Sequence, residues 1–87
     1  MGRVQDKIIL LTGGAMGLGK AAAKRLSEEG GRVLITDHNA EAGAATAAEL
    51  GSNVDFLEQD VTSPDRWGEV IAHVEAEYGR LDVLINN

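Results

Sequence analysis

The sequence contains no cysteine, so disulfide bonds and thiolate chemistry are excluded. It has a single Trp, a single Tyr and a single Phe, and a core built from it must therefore be aliphatic. No run approaches the roughly 18 apolar residues of a membrane span. With 14 acidic and 8 basic residues, the net charge of −6 argues against a nucleic acid or an anionic membrane as partner. The opening residues, Met1–Lys7, carry no apolar segment of the signal-peptide type, and we expect a cytoplasmic location.

Short apolar runs alternate with longer mixed segments along these 87 residues, of which 44% are hydrophobic and 25% charged. That composition is typical of one small globular domain. Continuous apolar runs indicate strands buried on both faces of a sheet. The predicted strands are Lys7–Thr12, Arg32–Asp37, Val54–Asp60 and Leu81–Asn86.

The segments between these strands show helical patterns. The first carries Leu18, Ala22 and Leu26 at helical spacing and stops at the Gly30–Gly31 pair, which is typical of a helix C-terminus.

The second predicted helix is rich in alanine, has Asn39 as its N-cap and ends before Gly51. The third begins at Ser63, with the only proline, Pro64, at its first helical position. One apolar stripe of this third helix is formed by Trp67, Val70, Ile71, Val74 and Tyr78.

The alternation of strand and helix predicts an α/β fold with a parallel sheet and right-handed crossovers. If the third helix returns across the sheet, the fourth strand lies beside the first. The strand order is then 3-2-1-4, Rossmann-like, with helices on both faces. The reversal opens a crevice at the carboxyl ends of the first and fourth strands, where such folds bind ligands.

The stretch LLTGGAMGLGK, Leu10–Lys20, places four glycines between the first strand and the first helix. A helix N-terminus favours an anion, because its amides are free and its dipole end is positive. Gly13, Gly17 and Gly19 would supply a tight turn, close approach of a pyrophosphate and close helix packing. An ordinary tight turn is the alternative interpretation, but the position between strand and helix favours phosphate binding.

Asp37 ends the second predicted strand beside this crevice. A carboxylate there can accept both hydroxyls of an adenosine ribose and would repel a 2′-phosphate. The alternative is a solvated turn acid next to His38 and Asn39. We expect His38 to be an exposed loop residue and His73 a surface or boundary residue, and we predict no metal site.

Four motifs in this order, TGGAMGLG, Asp37, DVT and LINN, resemble the short-chain dehydrogenase/reductase family. Its Thr-Gly-x-x-x-Gly-x-Gly motif is matched from Thr12 to Gly19, and Asp37 corresponds to the acidic residue of its NAD-preferring members. The Asp60–Val61 pair corresponds to the family's residues that border the adenine, and Asn86 and Asn87 begin its Asn-Asn-Ala-Gly motif. Within the family, the opening stretch is similar to bacterial cyclopentanol and cyclohexanol dehydrogenases, and hydroxysteroid dehydrogenases are an alternative.

The resemblance implies that NAD is the cofactor and that it is bound at the crevice. Met16 is uncharged, whereas NADP-preferring relatives often place a base at that position. The implied cofactor-binding residues are Gly13, Met16, Gly17, Leu18, Gly19, Asp37, Asp60, Val61 and Asn87.

The resemblance also implies hydride transfer between a secondary alcohol and a ketone, by a protein that forms homo-oligomers when full length. It covers residues 1–87, which is about a third of the roughly 250 residues usual for a one-domain Rossmann enzyme. The catalytic Ser and Tyr-x-x-x-Lys of the family are absent, and the only tyrosine, Tyr78, is followed four residues later by Asp82. We therefore expect an N-terminal cofactor-binding part that is inactive alone. The alternatives are a nucleotide-binding module without redox catalysis and, less favoured by the glycine spacing, a methyltransferase.

Overall fold

The computed structural model describes residues 4–87. Its four strands are all parallel and lie in the order β3-β2-β1-β4, which confirms the predicted Rossmann-like order. Three helices connect the strands, one in each crossover. The elements are β1 (Ile8–Thr12), α1 (Gly17–Glu28), β2 (Arg32–Asp37), α2 (Ala40–Leu50), β3 (Val54–Glu58), α3 (Pro64–Tyr78) and β4 (Val83–Ile85).

Alternate residues of the central strands face two separate cores, since successive strand side chains point to opposite faces. Ile9 and Leu11 of β1 pack with Ala23 of α1, and residues of α2 pack against the same cluster. Leu10 packs on the opposite face, against α3. The predicted placement of helices on both faces is thus confirmed. So is the predicted stripe of α3, whose members in this core are Trp67, Val70, Ile71, Val74 and Tyr78.

The predicted helix ends agree with the observed caps. The Asn39 side chain accepts a hydrogen bond from the amide of Ala42 (3.0 Å), and Ser63 caps α3 in the same way. Gly30 and Gly51 follow the ends of α1 and α2 with φ of +93° and +107°, a conformation that favours glycine.

Three strands are shorter than predicted, β1 by a single residue, since it begins at Ile8. β3 ends at Glu58 because β2 ends at Asp37, whose carbonyl oxygen accepts the last bond, from Gln59 N (2.9 Å). β4 has only three residues. Asp82, just before it, uses its side chain to accept from Ile8 N (2.8 Å), and Asn86, just after it, bonds through its side chain.

Leu18, predicted to bind the cofactor, is 86% exposed. Ala22 and Leu26, which share its helical spacing, do pack against the core. Leu18 lies in the first turn of α1, where Gly19 makes the contact with the preceding loop.

None of the helices within residues 4–87 is long and apolar enough to cross a bilayer. The same residues contain no cluster of three or more His, Asp or Glu side chains placed to hold a metal ion.

Candidate functional site

The carboxyl ends of β1 and β4 are joined through the buried side chain of Thr12. Its Oγ1 donates to Asn86 Oδ1 (3.1 Å) and accepts from the amide of Asn87 (3.0 Å). Asn87 Nδ2 in turn donates to the carbonyl oxygen of Gly13 (3.1 Å). The asparagines after β4 therefore support the start of the glycine loop.

Three glycines of this loop, Gly13, Gly17 and Gly19, occupy places that are unfavourable for a residue with a side chain. Gly13 and Gly17 have φ of +68° and +63°, in the left-handed region. A Cβ on Gly17 would meet no atom within 4 Å, so this backbone is open to a ligand. A Cβ on Gly19 would collide with the carbonyl oxygen of Gly13, so α1 can approach the loop only with glycine there.

Ala15, in the middle of the loop, is held from two sides. Its amide donates to Asp37 Oδ2 (3.2 Å), and its carbonyl oxygen accepts from Thr46 Oγ1 (2.6 Å). The neighbouring amide of Gly14 donates to the carbonyl oxygen of Thr36 (3.1 Å). Sequence reasoning missed Thr46, although it is the one hydroxyl residue of the alanine-rich α2.

The amino end of α1 has no side-chain cap. Met16, the N-cap residue, is extended (φ −157°), its side chain makes no capping hydrogen bond, and the first turn holds no acidic residue. The first amides of a helix have no partner within the helix, and the helix dipole makes this end positive. The end of α1 beside Gly17 therefore suits an anion such as a phosphate.

Asp37 is an anchored side chain with only 9% of its surface exposed. Besides Ala15 N, it accepts from the amide of Asn39 at Oδ1 (3.1 Å), and His38 Nδ1 lies 3.2 Å from the same oxygen. A carboxylate placed in this way faces the glycine loop and is not the freely solvated acid of the alternative interpretation.

A cleft of about 370 Å³ opens between the ends of β1, β2, β3 and β4. It is lined by Gly13, Asp37, His38, Gln59, Asp60, Val61, Thr62 and Asn87. The fold thus brings together five of the nine predicted cofactor-binding residues, Gly13, Asp37, Asp60, Val61 and Asn87. Of the remaining four, Met16 and Leu18 are exposed at the start of α1, and Gly17 and Gly19 belong to the same turn.

A somewhat larger cavity, about 440 Å³, lies at the amino ends of the strands. It is lined by residues such as Gln5, Arg32 and Tyr78 and contains no part of the glycine loop. We place the site in the smaller cleft, because ligands of open parallel sheets bind at the carboxyl ends of the strands.

Asp60 is held as a carboxylate by its neighbour Thr62. Its Oδ1 accepts from Thr62 Oγ1 (2.6 Å) and from Thr62 N (2.9 Å), and these bonds lower the pKa of Asp60 below its usual value. Asp60 therefore lines the cleft as a carboxylate, together with Asp37.

Two buried polar side chains near the cleft have no hydrogen-bond partner within residues 4–87. They are Gln59, 1% exposed, with both amide atoms unpaired, and Thr36, with its hydroxyl unpaired. A buried polar group without a partner is costly, and natural proteins keep few of them. The sequence did not predict this pair, because an isolated Gln or Thr beside a strand end carries no pattern.

Three features together define a nucleotide-binding α/β domain. They are the sheet order, the glycine loop at the amino end of α1 and the carboxylates after β2 and β3. A sequence model of the short chain dehydrogenase family matches residues 7–87, and the chain belongs to this family. The predicted resemblance is thereby confirmed.

Characterised relatives are similar over the whole chain. It is 43% identical over 90 residues to a cyclopentanol dehydrogenase of Comamonas sp. (strain NCIMB 9872), covering 100% of this chain and 36% of that protein. It is 45% identical over 85 residues to a 3-beta-hydroxysteroid dehydrogenase of Comamonas testosteroni, covering 98% of this chain and 34% of that protein. The chain thus spans about a third of the length of these relatives.

Proposed function

We propose that this segment binds NAD as part of an oxidoreductase that interconverts a secondary alcohol and a ketone. The observation that carries the proposal is the position of Asp37, which lies partly buried beside the glycine loop and accepts from Ala15 N at 3.2 Å. Family membership supports a nicotinamide cofactor, and relatives named for cyclopentanol and hydroxysteroids support a secondary alcohol as substrate.

The residues present fit a dinucleotide. Gly17 leaves open space where a pyrophosphate would approach the backbone, and the uncapped end of α1 favours its charge. Asp37 would accept the ribose hydroxyls, while Asp60 and Val61 would border the base from the other wall of the cleft.

The charge of Asp37 favours NAD over NADP. A 2′-phosphate in the ribose position would place a dianion beside a carboxylate that is only 9% exposed. Like charges at such a site repel, and the repulsion is screened less than on an open surface. The nearby Met16 offers no cation to offset it.

The hydride and proton transfers are not assigned to residues of this segment. The nicotinamide, when bound, exchanges a hydride with the substrate carbon. Tyr78 is not the proton-transferring tyrosine of the family, because its hydroxyl donates to Asp55 Oδ2 (2.6 Å) at the amino ends of the strands, opposite the cleft. We therefore assign cofactor binding to this segment and proton transfer to none of its residues.

The proposal is tested by calorimetric titration of NAD and NADP into a full-length protein that carries this segment. Asp37→Ala removes a charged hydrogen-bond acceptor, and we expect NAD to bind about 10- to 150-fold more weakly. NADP binding should hold steady or improve, because the repulsion is removed. Asp37→Asn removes the charge but keeps an oxygen that can accept from Ala15 N. It therefore distinguishes the effect of the charge on binding from the effect of anchoring the loop. Asp65→Ala, an exposed aspartate of α3 outside the cleft, is the matched control.

If wild type prefers NADP, or if Asp37→Ala leaves NAD affinity unchanged, the ribose assignment is wrong. If neither nucleotide binds to wild type, the proposed function itself fails.

A further inference from the structure

Within residues 4–87, His38 is the ionisable side chain that lies against the carboxylate of Asp37. Its Nδ1 lies 3.2 Å from Asp37 Oδ1, its side chain is 87% exposed, and it lines the cleft. The sequence predicted an exposed loop residue, which is correct, but not its contact with the carboxylate proposed to bind ribose.

The imidazole of His38 lies where a ribose would have to reach Asp37. A carboxylate offers about four lone-pair positions. Ala15 N and Asn39 N occupy two of them, and His38 Nδ1 lies 3.2 Å from Oδ1. Two ribose hydroxyls need the remaining two positions, and His38 stands in front of Oδ1 while it stays in place. Because His38 is exposed, its ring can turn away without disturbing the core.

The surroundings of His38 are predominantly acidic. Asp37 at the end of β2 is in contact with it, and Asp60 across the cleft has its pKa lowered further by His38. Glu58 of β3 and Arg66 of α3 line an adjoining cavity with His38. The Arg66 guanidinium is already bound to the carbonyl oxygen of Glu58, through Nε (2.8 Å) and Nη2 (2.6 Å). His38 is therefore the imidazole that lies next to the carboxylate proposed to bind the ribose hydroxyls.

We propose that protonation of His38 sets the nucleotide preference of this site, an inference that rests on the proposed NAD binding. When the imidazole is neutral, it turns away, and Asp37 accepts hydrogen bonds from the ribose hydroxyls. The imidazolium holds Asp37 by a charge-assisted bond, which competes with the ribose, and it neutralises the carboxylate that repels a 2′-phosphate. Acidification therefore weakens NAD binding and favours NADP. By linkage, NAD binding releases a proton from His38 at mildly acidic pH.

The test is the ratio of NAD to NADP dissociation constants between pH 5.5 and 8.5, in a full-length protein that carries this segment. In wild type we expect the preference for NAD to fall about two- to fivefold between pH 8.5 and pH 5.5. A change of this size matches the interaction energy of an exposed charge pair. His38→Gln cannot take up a proton and should show only the pH dependence of the 2′-phosphate, whose second pKa is about 6. His73→Gln, the other histidine of the chain, lies on α3 outside the cleft and should behave as wild type.

Calorimetry in two buffers of different ionisation enthalpy gives a second measurement. NAD binding near pH 6 should release a proton in wild type and in His73→Gln, and less in His38→Gln. If His38→Gln and wild type show the same pH dependence and the same proton release, His38 does not set the preference, although NAD binding stands. Absence of binding by either nucleotide at every pH would overturn the proposed function instead.

Discussion

Thr46 Oγ1 donates a 2.6 Å hydrogen bond to the carbonyl oxygen of Ala15, and this bond joins the middle of α2 to the middle of the glycine loop. Both residues are buried, at 4% and 3% exposure. The loop that is proposed to receive the pyrophosphate is thus positioned by a helix that contributes no residue to the glycine motif.

Thr46→Val should destabilise the fold and weaken nucleotide binding. Valine has nearly the same shape but leaves the buried carbonyl oxygen of Ala15 unpaired, which costs about 1–3 kcal/mol. Denaturant unfolding measures the stability change, and titration with NAD measures the binding change.

Thr36→Val is the control for this experiment, because the buried hydroxyl of Thr36 has no partner within residues 4–87. The same chemical change should there be neutral or stabilising by up to about 1 kcal/mol. Equal losses in the two variants would show that the bond from Thr46 to Ala15 contributes no stability.

Gln59→Met should raise the free energy of unfolding by about 1–2 kcal/mol. The amide of Gln59 is buried with neither of its polar atoms paired within residues 4–87, and methionine replaces it with an apolar chain of similar length. Thermal unfolding of the full-length protein checks this. A loss of stability as large as that of Thr46→Val would mean that the amide is paired in the folded protein.

Gly19→Ala should disrupt the site, because the new Cβ would collide with the backbone carbonyl of Gly13. Overpacking of this kind costs about 1–3 kcal/mol, and the shifted loop should bind NAD more weakly. Gly68→Ala is the matched control: it lies within α3, where a Cβ meets no atom within 4 Å, and should stabilise the helix by about 0.8–1 kcal/mol. If Gly19→Ala binds NAD as tightly as Gly68→Ala, close approach of α1 to the loop is not needed.

Tyr78→Phe should lower stability at neutral pH by about 1 kcal/mol and have little effect near pH 2. Partial burial raises the pKa of Asp55, but hydrogen bonds from Tyr78 and Arg32 outweigh it, and the net pKa is lowered. A carboxyl group whose pKa is lower in the folded protein stabilises the fold fully at pH values above its unfolded pKa of about 3.9. This stabilisation is lost as the pH falls through the pKa of the folded protein.

Urea unfolding of wild type and Tyr78→Phe at pH 7 and at low pH measures this difference. A stability difference that does not change with pH would show that Asp55 does not respond to the tyrosine.

The order of strands and helices could be predicted because each of these elements depends on residues that are close together in the sequence. A strand buried on both faces must be a continuous apolar run, as Ile8–Thr12 is, and a parallel partner must then be reached through a helix. The caps at Asn39 and Ser63 are likewise set by residues within one turn.

The internal support of the site was not predictable in this way. Thr46 and Ala15 are 31 positions apart, and their bond depends on how α2 packs against the sheet. The contact of His38 with Asp37 depends on a turn whose side-chain directions no spacing rule specifies. Leu18 matched a helical period yet points to solvent, since periodicity does not show where the sheet ends.

Ala15 is attached twice, to Asp37 at its amide and to Thr46 at its carbonyl, and this should affect how fast a ligand binds. A loop that is already ordered loses little conformational entropy when a ligand arrives, whereas ordering a free backbone costs about 1–2 kcal/mol per residue. Phosphate capture at this loop should therefore need no slow rearrangement. We expect the association rate to be limited by diffusion and by the turning of one exposed imidazole ring.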